Sequence, residues 1–257
     1  MSSLIIDKSK KFSQFFDQKA EVRKIDFLVL HHIEANSAQH AIDQLLEHKV
    51  SSHFVIDEAG NIFELVDEND IAYHAGISHW KGFESLNKNS IGIEFINQSP
   101  FKKKFEMLQM QAGVRLIKYL ISKYNIQKNN ILGHLDIAYH AKSDSNPSTL
   151  DRKQDPSELF DWQFLSENDI GIYPKITLKK TSDKVLFKIG DKNIEIKLIK
   201  EKLAKFGYRI LNLNEEFDFE MESLVRVFNR RFNQSKFESN ANVWYLSCEL
   251  ILDELLN

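Results

Sequence analysis

Asp26-Phe27-Leu28-Val29-Leu30-His31-His32 is the stretch on which the fold turns. Asp26 to Leu30, an apolar run ending in His31-His32, reads as a buried strand that His31 follows immediately. In α/β sheets the C-terminal strand ends gather the chemistry, and this favours His31 over His32 as a functional side chain. Downstream, Ser37 to Glu47 spaces Ala38, Ile42, Leu45 and Leu46 as one helical face. Ser52 to Ile56 and Ile62 to Val66 flank Glu58-Ala59-Gly60-Asn61, where Gly and Asn can supply a positive φ, so these two segments form a hairpin. Ser90 to Ile96 is a further strand and Phe105 to Tyr124 a long amphipathic helix. Asn130 to His134 is a short strand that enters a polar loop, and Pro156 to Phe164 is a short helix. The expected class is α/β, a mixed central sheet flanked by helices.

The 257 residues, 42% of them hydrophobic, can bury one core and a smaller companion. After Pro174 the composition shifts. Lys184 to Ile196 alternates about a Gly190-Asp191 turn, and helical segments follow near Ile196 to Phe206, Phe217 to Phe232 and Asn242 to Leu256. The expected division is residues 1–174 and a hairpin-plus-three-helix domain at 175–257, mainly helical. A formal net charge of -3, from 34 basic and 37 acidic residues, argues against a nucleic-acid partner. The single cysteine, Cys248, allows no intramolecular disulfide. Met1 to Ala20 holds no apolar run of signal-peptide length, and no later stretch could span a bilayer. The expected compartment is therefore the cytoplasm, with the periplasm as the alternative. Oligomeric state is not legible.

All 9 histidines lie between His31 and His140. Zinc is commonly held by imidazole nitrogen and carboxylate oxygen, with one position left open when the site is catalytic. His31 and His134 each follow an apolar run, and Asp155 in Arg152-Lys153-Gln154-Asp155-Pro156 could complete a set of three. Two structural readings stand beside that one. A histidine at a strand end is usually a hydrogen-bonded structural residue, and Asp155-Pro156-Ser157-Glu158 also reads as a helix N-cap.

Six motifs, in order, resemble the zinc-dependent N-acetylmuramoyl-L-alanine amidases of the AmpD/AmiD type. They are Leu28-Val29-Leu30-His31-His32, Val50-Ser51-Ser52-His53-Phe54, Tyr73-His74-Ala75-Gly76, Ser90-Ile91-Gly92-Ile93-Glu94, Gly133-His134-Leu135-Asp136-Ile137-Ala138 and Arg152-Lys153-Gln154-Asp155-Pro156. The resemblance covers roughly Phe27 to Pro174. It implies one zinc ion held by His31, His134 and Asp155, with water at the fourth position. Glu94 matches the family's acidic catalytic residue, and Lys153 the basic residue two positions before the ligand aspartate. His74 and Trp80 would line the substrate cleft. Strand alternation puts small Gly92 on the face of Glu94, which leaves room for substrate, and His53 reads as structural or as standing behind the ligands, because a fourth protein ligand would close the open site. The implied substrate is peptidoglycan or a muropeptide, cut between (anhydro-)N-acetylmuramic acid and L-alanine.

Two departures stand out. Family members usually carry a hydroxyl residue where Ile33 stands. A polar insertion, Tyr139 to Asp151, lengthens the connection to Arg152 and reads as an exposed loop beside the site. It creates a decoy: Asp144 lies ten residues after His134, with Lys142 two positions before it. The flanks of Asp155, continued by Leu159-Phe160-Asp161-Trp162, favour Asp155. The last part resembles the small peptidoglycan-binding domain of AmiD-like amidases, in Ile199 to Tyr208 and Val225 to Phe232. There Gly207 reads as a helix C-cap and Arg230-Arg231 as a solvated face. The rival functions are a non-catalytic peptidoglycan-recognition module on the same fold and a zinc hydrolase of another amide.

Overall fold

A computed structural model of the chain describes residues 4–9, 15–18, 23–139, 152–176 and 183–257, the side chains of 237–239 excepted. The chain divides into two compact units. The first comprises Met1–Gly76, Ser85–His134 and Asp155–Ile172, and the second Ile77–Glu84, Leu135–Gln154 and Tyr173–Asn257.

In the first unit the apolar run becomes β1 (Phe27–Ile33), followed by α1 (Ala38–Glu47), β2 (Phe54–Ile56), β3 (Ile62–Glu64), β4 (Ser90–Ile96), α2 (Met107–Tyr124) and β5 (Ile131–Gly133). The strands form one five-stranded sheet in the order β3-β2-β4-β1-β5. β4 lies parallel to both β1 and β2, β5 lies parallel to β1, and β3 closes an antiparallel hairpin with β2. This is the mixed sheet expected; β4 is the central strand, with β1 inside the sheet beside it, and β4 is buried along its whole length.

Strand alternation sends neighbouring residues to opposite helical layers. Val55 and Ile96 pack with Ala38, Ala41, Ile42 and Leu45 of α1, joined by Ile33. Burying Ile42 and Leu45 contributes about 1.5–3 kcal/mol each. The Ser37 hydroxyl accepts from the His40 amide at 3.1 Å and caps the helix, an interaction worth about 1 kcal/mol. Ile56 and Phe95 face α2 instead. A Cβ at Gly113 would lie 2.8 Å from the Phe95 ring, so this glycine lets the helix approach the sheet. Gln109 Nε2 donates to the Ile56 and Ile96 carbonyls at 2.9 and 2.8 Å. Phe105, expected to begin the helix, lies ahead of it among the rings of Phe95 and Phe160.

Two one- or two-turn helices, α3 (His134–Ile137) and α4 (Trp162–Glu167), precede the C-terminal part. In the second unit, β6 (Val185–Phe187) is followed by α5 (Ile194–Phe206), α6 (Phe219–Phe232), α7 (Gln234–Asn240), β7 (Trp244–Tyr245) and α8 (Leu246–Leu256). The hairpin expected about Gly190-Asp191 does not close on itself. Asn193 Oδ1 accepts from the Glu195 amide at 2.9 Å and starts α5, so the second limb is helical. β6 pairs antiparallel with β7 instead. Gly207 ends α5 at φ 146°, its amide donating to the Leu203 carbonyl. The expected solvated face at Arg230-Arg231 is also corrected, since these residues are 2% and 1% exposed. Arg231 follows Leu224 by seven positions and Phe228 by three, which puts it on the apolar face. Its Nε lies 3.6 Å from Asp136 Oδ2, and the Tyr208 hydroxyl donates to Asp136 Oδ1 at 3.1 Å. Among the described residues no helix is long and apolar enough to cross a membrane.

Candidate metal centre

Sheet register assembles the site. His31 pairs with Glu94 across β1 and β4, and Leu30 pairs with Gly133 across β1 and β5, so His134 follows one step beyond β5 at the level of His31. In-register residues of parallel neighbours share a face, so His31 and Glu94 project together, both buried. β1 continues through His32 and Ile33 rather than ending at Leu30, and its alternation separates the two histidines. His32 points away and its Nδ1 accepts from the Ser157 amide at 3.1 Å. One histidine faces the site while its neighbour anchors the segment carrying Asp155. The short helix expected at Pro156 starts only at Trp162, where Asp161 Oδ1 accepts from the Phe164 amide at 2.9 Å. Ser157 turns its hydroxyl to the Pro100 carbonyl, and Asp155 is released from any capping role.

His31 Nδ1 and His134 Nδ1 are 3.1 Å apart, and each is 3.0 Å from Asp155 Oδ2. Among the described residues this is the one group of His, Cys, Asp or Glu gathered closely enough to hold a metal ion. A tetrahedral zinc site with bonds of about 2.0–2.1 Å has ligand-to-ligand edges of about 3.3 Å, close to this triangle. The donor chemistry agrees. One proton can serve only one of the three contacts, whereas a cation serves three lone pairs at once. His134 Nε2 lies 3.2 Å from the Ala75 carbonyl, which only accepts, so the proton sits on Nε2 and Nδ1 is left with its lone pair. Burial would push the Asp155 carboxyl up, but the His134 and His31 imidazoles outweigh it and hold the group well below the usual carboxylate range.

Several expected site residues are placed differently. His74 is only 7% exposed, with Nδ1 3.1 Å from His31 Nε2 and Nε2 3.2 Å from Ser90 Oγ. It lies behind the His31 imidazole rather than lining a cleft, and burial followed by the charge of His31 holds it well below the usual histidine range. Gly92 leaves room for His74, not for substrate: a Cβ there would lie 2.5 Å from the His74 ring. Trp80 is 2% exposed and spends its ring on packing within the second unit, against Phe206 and Tyr208 at 5.7 and 5.1 Å. A Cβ at Gly207 would meet that ring at 2.7 Å. His53 is structural as expected: Nδ1 accepts from the Gly92 amide at 3.0 Å and Nε2 donates to the Asp70 carbonyl at 3.2 Å. Lys153 is half-buried, two positions before Asp155. Of the insertion, Tyr139 is buried, while 140–151, with Lys142 and Asp144, lie outside the described residues.

Sequence reading missed Asn87, whose Oδ1 accepts from the His74 and Ala75 amides at 3.1 and 2.7 Å. It also missed Ser90, and Arg23, whose guanidinium donates to the Asp70 and Ser90 carbonyls. Asn87-Lys88-Asn89, polar just before a wholly buried strand that opens on the hydroxyl of Ser90, was the available signal.

Two imidazoles and a carboxylate on an α/β sheet form the donor set of a mononuclear metallohydrolase. The family pattern described as N-acetylmuramoyl-L-alanine amidase matches residues 21–158, and the chain belongs to that family. It is 29% identical over 242 residues to the N-acetylmuramoyl-L-alanine amidase AmiD of Escherichia coli, covering 87% of this chain and 80% of that protein. It is 31% identical over 182 residues to the 1,6-anhydro-N-acetylmuramyl-L-alanine amidase AmpD of Haemophilus influenzae, covering 62% of this chain and 91% of that one. A solved complex of E. coli AmiD with its substrate anhydro-N-acetylmuramic acid-L-Ala-D-gamma-Glu-L-Lys is similar at a TM-score of 0.71 and 28% identity, over 93% of this chain and 91% of that one.

Proposed function

We propose that this chain is a zinc-dependent amidase that hydrolyses the bond between N-acetylmuramic acid and L-alanine, and that it accepts 1,6-anhydro-muropeptides. The observation that carries the reading is the convergence of His31, His134 and Asp155 within 3.0–3.1 Å of one another, beside Glu94 on the neighbouring strand. The anhydro substrate rests on the names of the two similar proteins.

His31, His134 and Asp155 would hold the ion, leaving a fourth place open. Zinc bound there would supply Lewis acidity toward water and the amide carbonyl. Glu94 takes the proton from the attacking water and delivers it to the leaving nitrogen, which would otherwise depart as an unstable amide anion. Lys153 offers a positive charge to the oxygen that becomes negative as the carbonyl is attacked. Buried walls around Glu94 and the imidazoles strengthen each of these interactions relative to water.

Mass analysis of products from a defined anhydro-muropeptide tests the reading. Release of the free stem peptide and the intact anhydro sugar is expected. An uncut but tightly bound muropeptide would instead make the chain a recognition module, and cleavage at another amide would reassign the substrate.

A further inference from the structure

We propose that His74 and Ala75 form a collar that fixes the tautomers of both ligand imidazoles, His31 through a hydrogen-bond relay ending at Ser90 and His134 through the Ala75 carbonyl. The inference rests on the metal reading above and assigns His74, Ser90 and Asn87 as positioning residues for it.

The direction of every proton in the relay follows from its far end. The Leu86 carbonyl can only accept, and Ser90 Oγ lies 2.6 Å from it, so the single Ser90 hydroxyl proton is committed there. Ser90 Oγ is then an acceptor toward His74 Nε2 at 3.2 Å, which places the His74 proton on Nε2. A neutral imidazole carries one N–H, so His74 Nδ1 accepts, and its partner at 3.1 Å, His31 Nε2, donates. That leaves the lone pair of His31 on Nδ1, the atom turned toward Asp155 and His134. The Ala75 carbonyl does the same for His134 in one step, at 3.2 Å from Nε2.

The collar is itself held rigidly. Asn87 Oδ1 accepts from both the His74 and Ala75 amides, fixing the peptide segment from which the His74 side chain and the Ala75 carbonyl depart. The His74 ring occupies the space that a side chain at Gly92 would fill, with an added Cβ 2.5 Å from His74 Cγ. Gly92 in turn donates its amide to His53. An imidazole ligand whose far nitrogen is committed to an acceptor is more basic and better aimed. Loss of such a partner typically lowers metal affinity 10–100-fold.

The test combines nitrogen-15 NMR of the zinc-loaded protein with zinc affinity measured by chelator competition. His74 is expected to carry its proton on Nε2. Ser90→Ala, which removes the acceptor without touching a ligand, should weaken zinc binding about 10–100-fold. Asn87→Ala should also weaken it, and Asn87→Asp, which keeps an acceptor oxygen, should restore most of the loss. A proton on His74 Nδ1, or wild-type zinc affinity in Ser90→Ala, overturns the collar while leaving the metal reading intact. A wild-type protein that binds no zinc overturns the metal reading and the collar together, and is told apart because it fails before any substitution.

Discussion

In the first unit, His31, His134 and Asp155 turn three lone-pair atoms toward one another at 3.0–3.1 Å. In the second, Arg231 Nε faces Asp136 Oδ2 at 3.6 Å, and fully buried Lys200 donates to Asp218 Oδ2 at 2.9 Å and Asn214 Oδ1 at 2.8 Å. Both sets hold buried charged or imidazole groups, His31 and His134 in the first and Arg231 and Lys200 in the second, yet their charge balance differs. Arg231 and Lys200 each stand within 4 Å of a carboxylate, so each charge has an opposite charge from the protein itself and specifies packing. The trio of the first unit gathers acceptors and supplies too few protons to satisfy them, which is the condition of a site built for an added cation. Burial alone does not separate a structural cluster from a functional one; the pairing of charges does.

The sharpest way to break that contrast is to remove a member of the unbalanced trio. Asp155→Ala should lose bound zinc and reduce cleavage by more than about a thousandfold, while Asp144→Ala keeps both. Metal analysis after gel filtration, with product mass analysis, reads the two together. Retained zinc in Asp155→Ala would move the third ligand elsewhere.

The balanced cluster should respond through stability. Arg231→Met leaves Asp136 buried without its cation and should cost about 3–5 kcal/mol in urea unfolding. Adding Asp136→Asn should recover most of that. A single-variant loss below about 1 kcal/mol would show that the pair does not specify the packing of its unit.

Glu94 sharpens the contrast inside the first unit, because it shares the face of His31 without belonging to the trio. Glu94→Gln should lose roughly a hundredfold or more in kcat and keep stoichiometric zinc. Zinc lost along with activity would reassign Glu94 as a ligand.

The smallest effect is a slope. Burial, and then the charge of Arg23, push the His53 imidazole down to about 3. Folded protein therefore keeps His53 neutral while the unfolded chain takes up a proton below about pH 6.5. Stability is fully present above pH 6.5 and falls on acidification toward pH 3, by about 1.4 kcal/mol per pH unit from this group. Urea titrations across that range should show His53→Gln losing about one proton's worth of slope. An unchanged slope would mean that His53 is protonated in the folded state.

Much of the sheet was legible because alternation and apolar runs are local: Ser90 to Ile96 is the strand observed, and β1 differs only in running on through His32 and Ile33. Choosing His31 over His32 was also a local inference, since His31 stands first after the apolar run, where strand C-terminal ends gather chemistry. The collar was not legible, because it depends on Ser90, Asn87 and the Ala75 carbonyl meeting across segments, and a backbone acceptor leaves no trace in side-chain identity. Gly92 and His74 were misplaced for a related reason. A glycine beside a catalytic carboxylate signals space, but only the fold says what fills it. The hairpin at Gly190 failed because Asn193 is a strong N-cap and the alternating stretch is short enough for helix to win. Arg231 was read from charge rather than from its spacing to Leu224 and Phe228.

One equilibrium measurement tests the metal centre most directly: a zinc titration of metal-stripped protein with cleavage of an anhydro-muropeptide followed in parallel. One ion per chain should bind, with cleavage absent before zinc is added and rising in step with occupancy to a plateau at one equivalent. Full cleavage by demonstrably metal-free protein, or saturation with zinc that leaves the rate unchanged, would contradict it.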